Sequence, residues 1–311
     1  MNWMILKSLN KIYGLILSTF LMASAAFAGY AIWDNAQIYH QAEAVQDQIR
    51  QLKPESDADG GPGFDKLRAI NPDVVAWITV DGTNIDYPIL QGKTNLSYMN
   101  KDVYGNFSLA GSIFLDTRNK ADFSDSYSLI YGHNMDEHLM FGDLALFKDR
   151  TFFQKNRTAT LLIPGGKRTF YTAAILQISA GTEEIFNPDR WKDNLDGLGK
   201  FLQENSKWYH SGYLQALIEH PERMEVAALV TCSDGSTNDR TILILIRTKD
   251  NQPVDEQVDK EKNDKIIGNG LKKTGDTQNP QFWMRVIIGI LLFIAVFESI
   301  DRLRERKNRK S

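Results

Sequence analysis

Residues 225–248 read EVAALVTCSDGSTNDRTILILIRT. Two apolar, β-branched runs, Glu225–Thr231 and Thr241–Thr248, flank a polar turn built on Asp234-Gly235. Runs of this kind around a Gly-containing turn predict neighbouring strands. The stretch Leu243-Ile244-Leu245-Ile246 has no polar alternation, so it predicts a strand buried on both faces.

Working outward, the same signature recurs. Short β-rich runs occur at Val74–Val80, Ile85–Leu90, Ser112–Asp116, Ser128–Tyr131, Thr160–Ile163 and Thr169–Ile178. Turn residues such as Asp81-Gly82 and Pro164-Gly165-Gly166 separate several of them. Helical patterns are short, over Met140–Phe147 and Asp193–Tyr209. About eight strands with few helices predict a mainly β domain, a closed barrel or sandwich, over residues 64–249.

The ends differ from the middle. Ile12 to Trp33 is 22 residues without a charge, preceded by Lys7 and Lys11. At about 1.5 Å per residue this run matches the hydrocarbon thickness of a bilayer. It continues past the small residues Ala23-Ser24-Ala25-Ala26, which favours an uncleaved anchor (1–33) over a signal peptide. The basic residues before it place the N-terminus in the cytoplasm and the domain outside. Residues 34–63 predict a helical stalk and a Gly/Pro-rich linker, and 250–281 a second polar linker. Residues 282–300 then give a second transmembrane segment, with Arg285 snorkelling, and 301–311 a tail with six basic and two acidic residues. Both termini are then cytoplasmic. The net charge of −3 excludes an electrostatic case for nucleic-acid binding.

Cys232 is the only cysteine in the chain, so no internal disulfide supports the fold. It stands where an apolar strand gives way to a polar turn, and Arg240 stands at the far end of that turn. If the two strands are neighbours, thiol and guanidinium share one rim, where a cation stabilises thiolate and a developing oxyanion. His133 follows the apolar run Ser128–Tyr131 and a Gly132 read as a tight turn. A thiol with a pKa of about 8.5 is only a few per cent ionised at neutral pH and needs such a base. The remaining histidines offer less: His40 lies on the stalk, His210 and His220 in a polar segment, and His138 five positions from His133. No metal set and no cofactor motif emerges from this pattern.

These residues resemble a known family. IYGHNM (130–135), MFGDL (140–144), LVTCS (229–233) and Arg240 are similar to the active-site set of class B sortases. IDYPILQ (85–91), TNLSYM (94–99) and GSIFLDTRN (111–119) extend the similarity over the folded domain in order. The resemblance implies a closed eight-stranded β-barrel on the outer surface of a Gram-positive bacterium. It implies a cysteine transpeptidase that cleaves a C-terminal sorting signal of secreted proteins and passes the acyl group to an amine. That amine would come from a pilin subunit's lysine or from the peptidoglycan precursor lipid II. Carried over, Cys232 is the nucleophile, His133 the acid/base, and Arg240 the substrate-positioning or oxyanion-stabilising residue. Asn95, Met99 and Tyr131 match groove-lining positions, although core packing explains Met99 and Tyr131 equally well.

There are departures from the pattern. Val230 replaces the small hydroxyl usual two residues before the cysteine, and a C-terminal apolar segment is more typical of pilin-polymerising members, which points to a pilus-associated class B enzyme. Leu271-Lys272-Lys273-Thr274-Gly275, before an apolar stretch and a basic tail, has the layout of a sorting signal with Lys in place of Pro. A cysteine peptidase or amidase, and a non-catalytic binding module on the same fold, remain the alternatives.

Overall fold

The computed structural model describes residues 3–54, 63–179, 181–182, 184–231, 239–250 and 254. The chain divides into two compact units, Met1–Asp259 and Lys260–Ser311, and every described residue belongs to the first. The second linker beyond residue 254, the second transmembrane segment, the basic tail and the Leu271–Gly275 motif lie outside the described residues.

Nine strands form one sheet: β1 (Val74–Val80), β2 (Asp86–Leu90), β3 (Ile113–Leu115), β4 (Tyr127–Gly132), β5 (Thr158–Ile163), β6 (Gly166–Ser179), β7 (Trp208–Tyr209), β8 (Met224–Thr231) and β9 (Asp239–Thr248). Their order is β5-β1-β2-β3-β4-β8-β9-β6-β7, and an additional β5–β6 pairing closes the first eight into a barrel. The two-residue β7 lies outside the ring, on β6. The eight-stranded barrel expected from the sequence is therefore present, with the Val74–Val80 run matched end to end and the others shifted by one to three residues at one or both ends.

Closure explains the uninterrupted apolar strands. Leu243 and Leu245 of β9 join a cluster with Ile78, Ile130, Leu161 and Leu229, contributed by strands all around the ring. Ile242, Ile244 and Ile246 join a second cluster on the other face of the wall. That outer cluster is capped by α4 (Pro188–Trp191), α5 (Leu195–Asn205) and α6 (Ser211–Glu219), through Trp191, Leu198, Leu202, Tyr213 and Leu214. Each fully buried Leu or Ile is worth roughly 1.5–3 kcal/mol, so a strand buried on both faces holds the wall firmly.

A third cluster lies under α1 (Trp3–Arg50) and α2 (Gly63–Ile70), where Ile49, Phe64 and Leu67 cover Trp77, Leu90 and Phe114. Helix α1 runs unbroken from the apolar stretch into the stalk. By length and composition its segment from Lys11 is apolar enough to cross a membrane. Its last turns are fastened to the barrel by Gln46 and Arg50, which both donate to the Asn84 carbonyl (3.0 and 2.9 Å).

Three local readings change. The single helix expected over Asp193–Tyr209 stops at Asn205, and Trp208–Tyr209 pair with Ile175 and Ala174 of β6 instead. Met140–Phe147 becomes a 3-10 helix at Gly142–Lys148, followed by α3 (Arg150–Lys155), whose N-cap Asp149 accepts from Phe152 N. His210, placed in a polar segment by sequence, is fully buried and stacks on Phe153 with ring centroids 4.5 Å apart.

Candidate active site

The site stands where two parallel strands end together. β4 and β8 are neighbours, paired from Tyr127↔Val226 to Gly132↔Thr231. His133 is the next residue after Gly132, and Cys232 the next after Thr231. β8 pairs antiparallel with β9, so β9 enters the sheet at the same rim, and Arg240 is its second residue. The neighbouring strands that the sequence reading required are thus found. Cys232 itself lies outside the described residues.

Gly132 is not the tight turn expected. It ends β4 in ordinary strand register, and a Cβ there would sit 2.4 Å from Ile113 Cδ1 and 2.6 Å from the Phe141 ring. Close packing, not left-handed backbone, requires glycine before the histidine. The Phe141 amide donates to the His133 carbonyl at 3.0 Å and fixes the chain as it leaves the strand.

His133 and Arg240 line one small cavity of about 170 Å³, together with Tyr98, Met99, Ala110, Ser112 and Phe114. His133 is half-buried, and burial lowers its pKa below the usual imidazole value. No acidic neighbour among the described residues offsets that effect. Burial thus favours the neutral ring, the form that accepts a proton. Arg240 Nη1 donates to the Thr231 carbonyl at 3.3 Å. Thr231 is held in turn by its hydroxyl, which accepts from Thr241 N at 3.1 Å. The backbone entering position 232 is thereby tied to the strand that carries the guanidinium.

A second cavity of about 490 Å³ adjoins the first, sharing Met99, Phe114 and Arg240. It is lined also by Asn95, Leu96, Arg118, Tyr131, Phe186, Asn187 and Val230. Together the two make one groove running away from His133. All three groove positions expected from the sequence, Asn95, Met99 and Tyr131, face it. Met99 is 48% exposed, so core packing does not explain it. Tyr131 packs on Phe114 with centroids 5.3 Å apart and reaches Asp116 Oδ2 with its hydroxyl at 3.3 Å.

Asp116 organises this floor. Its side chain is fully buried and takes Arg118 Nη2 at 2.7 Å, Arg118 Nε at 2.9 Å and Asn95 Nδ2 at 2.9 Å. Burial alone would raise its pKa, but the bonds from Arg118 and the Arg118 charge outweigh it and hold the carboxyl below the usual range. Asn95 is fixed from both ends, because its Oδ1 accepts from Thr117 N at 2.8 Å. Asp116 and Arg118 fall within GSIFLDTRN, where the sequence by itself assigns them no role. An acid at the last position of a predicted strand and a base two residues on were the available signal. Among the described residues no three His, Cys, Asp or Glu side chains come together as a metal site.

No family model matches the chain. Among curated proteins it is similar to Sortase B of Staphylococcus aureus, 35% identical over 115 residues, which are 37% of this chain and 47% of that protein. Sortase B of Listeria monocytogenes is 44% identical over 92 residues, 30% of this chain and 37% of that protein. These matches span less than half the length of the curated relatives. Among solved structures, the barrel superposes on a Streptococcus pyogenes class B sortase involved in pilus biogenesis with a TM-score of 0.53 and 40% identity. That match covers 60% of this chain and 100% of the other.

Proposed function

Because this chain belongs to the class B sortases, we propose that it is a membrane-anchored cysteine transpeptidase acting on sorting signals of secreted proteins, with Cys232, His133 and Arg240 as its catalytic residues. The observation that carries this reading is the shared cavity of His133 and Arg240, at the rim where β8 delivers the chain to position 232.

In the first half-reaction the neutral His133 ring takes the Cys232 proton, and the thiolate attacks the scissile carbonyl carbon. The C=O electron pair moves to oxygen, and the Arg240 guanidinium stabilises that oxyanion. As the intermediate collapses, the C–N bond breaks and the His133 imidazolium gives its proton to the leaving amine. A thioester on Cys232 remains. In the second half-reaction an incoming amine attacks the thioester and loses a proton to His133, and the thiolate is expelled. The groove lined by Asn95, Met99 and Tyr131 holds the acyl side of the signal.

The acceptor in this reading is a pilin lysine or the amine of a peptidoglycan precursor. A pilus role draws support from the similarity to the Streptococcus pyogenes enzyme. The exposed apolar length of α1 supports anchoring, and the basic Lys7 and Lys11 before it favour the barrel on the outer side. The decisive experiment incubates the purified protein with sorting-signal peptides, with and without an added amine. A ligated product and faster turnover with amine support transpeptidation, whereas hydrolysis unaffected by amine makes it a peptidase.

A further inference from the structure

The outer wall of the groove is irregular backbone at residues 184–187, between β6 and α4. Three successive carbonyls in it each accept from a side chain. Trp191 Nε1 donates to the Glu184 carbonyl at 2.7 Å, the Tyr127 hydroxyl to Ile185 at 2.8 Å, and Arg118 Nη2 to Phe186 at 2.7 Å. Arg118 Nη1 also reaches Asn187 Oδ1 at 3.3 Å. Trp191 is buried in the outer cluster and Tyr127 within β4, whereas only Arg118 lines the groove itself.

Arg118 therefore faces two ways. Its Nε and Nη2 hold the buried Asp116 carboxylate, which also holds Asn95 and Tyr131 on the floor. Its Nη1 and the same Nη2 hold Phe186 and Asn187 on the wall. One planar guanidinium thus fixes the distance between floor and wall, a task that needs its fork of donors. A lysine carries the charge on one nitrogen and lacks the three separately placed nitrogens that reach the floor carboxylate and the two wall acceptors here.

We propose that Arg118 is a positioning residue that sets the width of the groove and through it the selectivity for the bound peptide. This rests on the transpeptidase reading above. Arg118 takes no part in bond making, since its partners are the protein's own Asp116, Phe186 and Asn187. Widening the groove weakens the fit of the peptide's side chains and leaves the reacting groups at His133 and Arg240 in place.

The test uses the full chain in detergent with Arg118→Lys and Asn187→Ala. Both keep a cation beside Asp116, which Arg118→Ala would strip of its counter-charge at the risk of unfolding. Arg118→Lys should raise KM for a sorting-signal peptide about 10-fold or more, with kcat within about two-fold, as expected for lost positioning remote from the chemistry. Discrimination between that peptide and one with a substituted groove-facing residue should fall in parallel, and amide exchange over 184–187 should speed up. Asn187→Ala should move all three in the same direction by less. Faster exchange with unchanged KM and selectivity would reduce the clamp to a structural fastening, and unchanged exchange would remove it altogether. Wild-type protein that ligates no sorting-signal peptide would instead defeat the transpeptidase reading, and the selectivity claim with it.

Discussion

Arg240 and Thr231 are joined by a hydrogen bond of 3.3 Å from the guanidinium Nη1 to the carbonyl that precedes Cys232. The arginine is thus registered to the strand that leads into Cys232, not merely placed near it. Replacing Arg240 by Lys keeps the charge and removes the fork. Losing a positioned oxyanion donor costs on the order of 10²- to 10³-fold in kcat. Steady-state kinetics on the Arg240→Lys enzyme should show a loss of that size, and near-normal turnover would reduce the arginine to a charge effect.

Cys232→Ala should abolish turnover, and His133→Ala should lower it by about 10²- to 10⁴-fold, the range for a general acid/base. Burial lowers the His133 pKa from its ordinary value, so the ring stays neutral down to more acidic solution. The acid limb of kcat/KM should accordingly fall below about pH 6.5, the reference imidazole value. A limb centred above that value would mean that a thiolate partner stabilises the imidazolium.

Gly132→Ala should destabilise the barrel at the site itself. The new methyl would lie 2.4 Å from Ile113 Cδ1 and 2.6 Å from the Phe141 ring. Overpacking of this kind costs about 1–3 kcal/mol. Thermal unfolding should show a lowered Tm, and kcat should fall as well because His133 follows directly. An unchanged Tm would contradict the close approach.

His210 sets part of the acid sensitivity. Burial first, and the nearby Arg157 charge second, push its pKa down to about 4. The unfolded chain binds a proton there near pH 6.5 while the folded chain resists, so stability falls as pH drops from about 6.5 towards 4. The loss amounts to roughly 3 kcal/mol at about 1.4 kcal/mol per pH unit. Denaturant titrations of His210→Leu, which keeps an apolar side chain of similar size, should show a shallower decline over that interval. His133 shifts in the same direction, so some slope should remain. A decline as steep as in the wild type would acquit His210.

Much of this architecture was legible in the chain. Strand positions came through because β-branched residues concentrate where both faces of the wall are buried, as in Ile242–Ile246. His133 and Arg240 each stand at a strand boundary and share a cavity; the pair that the sequence put on one rim, Cys232 and Arg240, has its cysteine outside the described residues. What escaped was set by long-range packing. α6 is only nine residues, with Gly212 near its start, and its buried face of Tyr213, Leu214 and Leu217 becomes meaningful only against Tyr171 and Ile244 of the wall. Trp208–Tyr209 carry no helical or strand period by themselves and became a strand because β6 is long enough to offer an extra edge. Gly132 looked like a turn because glycine's usual signal is conformational, while here its role is steric. Arg118 pairs with residues 68 and 69 positions further along, at Phe186 and Asn187, a relation that no local motif encodes.

The same-direction pairing of β4 and β8 has a consequence for how this scaffold tolerates change. Two hairpin-linked strands would surrender their geometry whenever their connection was edited. Here everything between Asn134 and Arg223, including β5 to β7 and, among the described residues, six helical segments, is one excursion that departs from and returns to the same seam. Lineages, or engineers, can lengthen and redecorate that excursion while the two chain exits leading to His133 and Cys232 stay side by side.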